Sequence, residues 1–169
     1  MDRVSPEMAD EVRLTVDEYA AVHTAVRSAL GPAWTLNSLF EAWGALVADV
    51  EEGYGWSAPE LANDLECRTA LARIWRLLPP RVRAIRQPEL DGIDERFRSS
   101  TVGWPGQGDR GLRWWLHRVP RQIEAEIPDL NAQGWPMGWD VLPFPRPGAV
   151  EITGTGKTCQ VDGLNAELG

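Results

Sequence analysis

The chain has 169 residues, a formal net charge of −8 and a 43% hydrophobic fraction, which predicts one globular domain with an ordinary core. No apolar run approaches the ~20 residues that cross a bilayer. Two cysteines and two histidines are too few for a zinc-type cluster, and the acidic balance argues against nonspecific binding to nucleic-acid phosphates.

Residues 1–14 (MDRVSPEMADEVRL) read as a flexible lead-in without the apolar stretch of a secretory signal, so a cytoplasmic location is expected. Thr15 and Glu18 have capping-box spacing. The helix they open carries Tyr19, Val22, Val26 and Leu30 as its inner stripe, and Gly31-Pro32 ends it. His23 sits beside that stripe, with no partner at a spacing that would orient it. Ser38 and Glu41 repeat the capping-box pattern, and the next helix presents Leu39, Phe40, Trp43, Leu46, Val47 and Val50. Glu51 and Glu52 close this helix against its dipole, and Gly53 stops it.

The strongest helix signal runs from Trp56 to Pro80. Ser57 and Glu60 form its capping box, Pro59 lies in its first turn, and Pro79-Pro80 stops it. Leu61, Leu65, Leu71, Ile74, Trp75 and Leu78 recur at helical spacing. Asp64 precedes Arg68 by four residues, the favourable order for a helical ion pair. Cys67 reads as a small buried hydrophobe. With Cys159 in a tail, the two cysteines suit a reduced compartment and no disulfide is expected. After Pro80, a short basic helix over 81–87 is expected to break at Pro88. A second short helix over 89–101 places Leu90, Ile93 and Phe97 inward.

The character then changes. Gly103 to Gly111 holds four glycines and a proline and reads as a connector. Residues 112–119 fit a short helix or a strand, and 120–127 one or two helical turns. Residues 135–147, rich in Trp and Pro, read as irregular. Residues 148–169 form an extended or loosely attached tail. The fold class is therefore mainly α: one helical domain over 15–147, with five or six helices and a Trp-rich, loop-rich C-terminal third.

Three groups of residues invite functional readings. The charge is uneven: residues 1–66 carry a net of −10, residues 67–98 a net of +4 and residues 99–169 a net of −2. Glu51, Glu52, Glu60 and Asp64 are candidates for an acidic face that docks a basic partner, the alternative being solvated helix ends. Nine tryptophans serve either as core and loop pins or as a surface, since Trp and Arg dominate interface hot spots. Arg96, Trp104, Arg113, Trp114, Trp115 and Arg118 are the candidates for that surface, or for a platform under a planar or anionic ligand. Asp94, Glu95, Arg96 and His117 are the one group considered for acid–base chemistry. Neighbours on a helix point ~100° apart, which argues against Asp94 and Glu95 sharing a substrate, and no catalytic residue, metal or cofactor is assigned. The run 152–158 (ITGTGKT) resembles the end of a phosphate loop, but Glu151 stands where the first glycine is required.

Asn63-Asp64-Leu65 with Arg68, then Asp94 to Arg98 with Thr101, then Trp114-Trp115 with Arg118-Val119-Pro120, resemble small helical proteins of unassigned function from GC-rich Gram-positive bacteria. The resemblance covers roughly residues 38–121 and implies a single small domain in a bacterial cytoplasm, with no mechanism. Arginine supplies every basic residue except Lys157, in keeping with a GC-rich genome.

The leading expectation is a protein-binding module, of the kind of an immunity or antitoxin-like inhibitor of a basic partner protein, without nucleic-acid or membrane partners. The alternatives are a small enzyme or ligand-binding domain with a Trp/Arg-lined pocket, and a structural subunit of a homo-oligomer.

Overall fold

The computed structural model describes residues 13–108, 111–126 and 130–154, and the chain is mainly α. Local capping chemistry sets where the first helices begin. Thr15 and Glu18 form the expected box at the start of α1, Val16–Leu30. Helix α2, Leu36–Glu52, starts earlier than Ser38 because Thr35 is its cap. Ser38 answers in place of a glutamate: its amide donates to Thr35 Oγ1 and its hydroxyl accepts from the Thr35 amide. Ser57 and Glu60 cap α3, Ala58–Asp64, as expected.

The long helix predicted from Trp56 to Pro80 is present with a flaw. It is interrupted at Leu65, and α4, Glu66–Trp75, continues it. The Leu65 carbonyl still accepts from the Thr69 amide at 3.1 Å, so α3 and α4 act as one rod. The rod ends at Trp75, before the prolines.

Helix α5, Pro80–Ser99, corrects the expectation of two short helices, because Pro88 lies inside it without ending it. Its buried stripe of Val82, Leu90, Asp94 and Phe97 runs across the proline. Burial of both halves on one core offsets the lost backbone bond, and the proline ring faces solvent. The described helices thus make four rods rather than five or six.

Trp43, Leu39, Leu71, Ile74 and Phe97 are buried where the rods meet, and the Trp43 and Phe97 rings lie 4.9 Å apart. Tyr19, expected in the inner stripe of α1, is exposed; Ala25 and Val26 are the buried positions of that helix.

Beyond α5 the backbone turns to short strands. β1, Thr101–Gly103, pairs antiparallel with β2, Arg118–Pro120, and a 3₁₀ turn over Trp114–His117 precedes β2. The helical turns expected over 120–127 are replaced by β3, Gln122–Ala125, which pairs in parallel with β4, Glu151–Gly154. A two-stranded sheet is marginal alone. This one gains a third edge from Tyr54, whose amide donates to the Gln122 carbonyl at 3.0 Å and whose carbonyl accepts from the Glu124 amide at 2.9 Å. Gly53 makes the approach possible: it has φ +120°, and a Cβ there would stand 3.1 Å from the Glu124 side chain.

The Trp–Pro segment 135–147 is pinned by side chains. The indole of Trp135 donates to the Phe144 carbonyl at 2.8 Å and that of Trp139 to the Trp56 carbonyl at 3.1 Å. Val150 is fully buried. With β4 paired beyond it, the packed unit extends past residue 147, where the tail was expected to begin. Residues 1–12 of the lead-in, the end of the ITGTGKT run, Cys159 and the remaining tail lie outside the described residues.

Candidate binding surfaces

One buried polar knot determines which charged residues are left for function. Arg68 on α4 donates from Nε and Nη2 to the two carboxylate oxygens of Asp94 on α5, at 2.8 and 2.9 Å. The indole N–H of Trp43 donates to the same carboxylate at 3.0 Å. The Arg68 guanidinium also lies over the Trp115 ring, 4.3 Å from its centroid, and Trp115 donates to Thr69 Oγ1 at 3.1 Å. Arg68 is 7% and Asp94 6% exposed. A buried charge costs several kcal/mol unless it is paired and hydrogen-bonded, and both conditions are met.

This knot overturns the expected Asp64–Arg68 pair. Asp64 instead accepts from the Tyr54 hydroxyl at 2.7 Å. Burial, reinforced by this carboxylate, pushes the Tyr54 phenol pKa far up. The group considered for catalysis is dispersed. Asp94 is committed to the core and Glu95 is exposed. Arg96 is bonded to Glu51, and the His117 ring meets the Trp104 ring edge-on at 5.1 Å.

The other singled-out residues divide into structural and available ones. Arg118 is buried and donates to Thr101 Oγ1 at 2.7 Å and to the Arg98 and Thr101 carbonyls. It ties β1 to β2 and the end of α5, and with Trp104 it lines a further open cavity of about 460 Å³. Trp115 is buried in the core, with one edge at the cavity among α4, α5 and the segment around Arg113. Trp104 is half-buried, rests on Phe144, and has an indole nitrogen with no hydrogen-bond partner among the described residues. Trp114 is half-buried under the Arg98 guanidinium at 3.7 Å. Arg113 is exposed. Glu60 is engaged in its cap, and Glu52 is exposed at the end of α2.

Two of five open cavities lined by described residues are candidate sites. The first, about 620 Å³, is a groove between α2 and the α3–α4 rod. Its floor is Ala42, Ala45, Leu46 and Ala70. Its carboxylates are Asp49, Asp64 and Glu66, against a single arginine, Arg73. Cys67 lies against the groove, and burial pushes its thiol pKa up to about 11. Trp34, 42% exposed, stands at the rim. Of the four acids expected to form a docking face, only Asp64 lines this groove. Asp49 and Glu66 were missed, although Ala42, Ala45 and Asp49 recur at helical spacing and so share one face of α2.

The second cavity, about 500 Å³, lies among α4, α5 and the segment around Arg113. Arg73, Arg76 and Arg113 border it, Trp75 and Trp114 wall it, and no carboxylate lines it among the described residues. Arg113, Trp114 and Trp115 meet here as expected for a Trp/Arg pocket, whereas Arg96, Trp104 and Arg118 do not line it. Arg76 and Trp75 were missed as site residues, because they were read only as the end of a core helix.

No protein-family model, curated protein or solved structure matches this chain. Among the described residues no cluster of His, Cys, Asp and Glu could hold a metal ion, and no helix is long and apolar enough to cross a membrane.

Proposed function

We propose that the protein is a cytoplasmic binding module that docks a basic segment of a partner protein in the groove between α2 and the α3–α4 rod. The observation that carries this reading is the groove itself: an apolar floor bordered by three carboxylates and one arginine. Neither Asp49 nor Glu66 is in an ion pair among the described residues. A basic amphipathic segment would bury apolar surface on the alanines and meet the acids at the rim, where charge complementarity raises the association rate and rejects acidic competitors. Small size and a net charge of −8 suit an inhibitor of the immunity or antitoxin kind, whose target is a basic protein such as a nuclease. On this reading Glu51 and Glu60 are structural, held by Arg96 and by the α3 cap, and the docking acids are Asp49, Asp64 and Glu66.

The test places a photo-crosslinking residue at the exposed Ala45 and recovers adducts from native cytoplasm at low and high salt. One stoichiometric basic protein is expected. It should be lost at high salt and in the D49N/D64N/E66Q variant, with association slowed about tenfold or more at low ionic strength. Adducts that are insensitive to salt and to the triple variant would refute the groove, as would the absence of any adduct.

A further inference from the structure

We infer that the cavity among α4, α5 and Arg113 is a binding site for a small planar aromatic anion, a ring carrying a phosphate or carboxylate. This site adjoins the acidic groove, with which it shares Thr69 and Arg73, and it does not depend on the partner-docking reading.

The first observation is electrostatic. In a chain of net charge −8, this cavity has four arginines and no acid among the described residues that line it. Arg68 is neutralised by Asp94, and Arg73 donates to the Ala29 carbonyl at 3.3 Å. The side chains of Arg76 and Arg113 are exposed and make no ion pair or hydrogen bond to the described residues. Two planar guanidinium groups with free donors lining one cavity suit a phosphate or carboxylate.

The second observation is shape. Trp75 and Trp114 wall the cavity, and each is held in place by neighbouring side chains. Trp75 donates to Gln87 at 3.0 Å and packs on Phe40; Trp114 is covered by Arg98. Fixed aromatic walls favour a flat ring, and about 500 Å³ lies within the range of small-molecule sites.

The third observation is local strain. Arg113, with φ 64°, is the one non-glycine residue of positive φ among the described residues. A long side chain in the left-handed region is unfavourable, and such outliers concentrate where a side chain is held for a purpose. Beside it, Leu112 is 99% exposed at the cavity edge, an apolar group that a bound ring would cover.

The experiment follows tryptophan fluorescence and calorimetry on the full chain. The probes are a nucleoside monophosphate, an indole carboxylate, the matching uncharged nucleoside and inorganic phosphate. Saturable binding of at least one aromatic anion is expected, about tenfold or more tighter than either the nucleoside or phosphate. Whether the nucleotide or the carboxylate wins identifies the source of the anion. Arg76→Ala and Arg113→Gly should each weaken binding about tenfold. Arg113→Gly should leave thermal stability intact or raise it, because glycine accepts positive φ freely. Arg27→Ala, on α1 and outside the cavity, should leave binding unchanged. The proposal is overturned if no probe binds up to about 5 mM, if phosphate alone binds as well as the aromatic anions, or if the two cavity variants bind like the parent.

Discussion

At the residue scale, the decisive choice is the partner of Arg68. Its helical neighbour Asp64 was available at favourable spacing, yet an exposed pair of that kind contributes only a few tenths of a kcal/mol. Once Arg68 is buried, leaving it unpaired would cost far more, and Asp94 supplies a bidentate partner from the next rod. Asp94→Asn should therefore lower stability by about 3–5 kcal/mol, measured by urea unfolding. Replacing both partners, Arg68→Met with Asp94→Leu, should recover part of that loss, since only the Trp43 N–H is then orphaned. A double variant as unstable as the single one would show that the ion pair itself is not what the packing depends on.

A second residue-scale prediction concerns alkaline pH. The Cys67 thiol has an ordinary value near 9 and is raised to about 11 in the fold, chiefly by burial. Its contribution is complete below pH 9 and is lost as pH rises through the folded value, because the unfolded chain ionises first. Tyr54 shifts in the same direction and adds to the decline above pH 10. Urea midpoints should fall from pH 9 upward, and the Cys67→Ala variant should fall less steeply between pH 9 and 11. Parallel curves for the two proteins would contradict the assignment.

At the element scale, Pro88 is the position where local rule and tertiary packing conflict. A proline at this point removes one helical hydrogen bond and crowds the carbonyl four residues earlier. The helix continues because Val82 and Leu90, on either side, are both buried on the same core. Pro88→Ala is expected to raise stability by about 1–2 kcal/mol, the restored bond being partly offset by a freer unfolded chain. Thermal unfolding reads this directly, and a lower midpoint would mean that the proline ring makes a contact the helix needs. The caps behave differently. Thr15 with Glu18 and Ser57 with Glu60 close their boxes over three residues, so the sequence pattern alone locates both helix starts.

At the scale of the whole molecule, the C-terminal third is part of the same core rather than an appendage. Tyr54 pairs with β3, Trp139 donates to the Trp56 carbonyl, and Trp135 and Val150 are fully buried. Trp135→Ala should cost about 3–5 kcal/mol. The loss should appear in the helical signal of far-UV circular dichroism, because the helices share the core that is weakened. If the helical midpoint stayed in place while tryptophan fluorescence shifted, the last third would be an independent unit.

The mainly α class, the capped starts of α1 and α3, the apolar faces of α2 and the α3–α4 rod, and the aromatic character of the last third were all legible in the sequence, whereas the start of α2 was placed at Ser38 in place of its cap Thr35. Each of the legible features rests on spacings of three or four residues or on composition, which the local backbone obeys whatever surrounds it. Local chemistry left open the partner of Arg68 and the passage of α5 through Pro88. The strand pairing of 122–125 with 151–154 was equally hidden, as was the gathering of Asp49, Asp64 and Glu66 at one cavity and of Arg76 and Arg113 at another. Those are choices between distant groups. They were decided by which side chains the packed rods removed from water, because desolvation makes a buried charge or backbone group take whatever partner the fold brings to it.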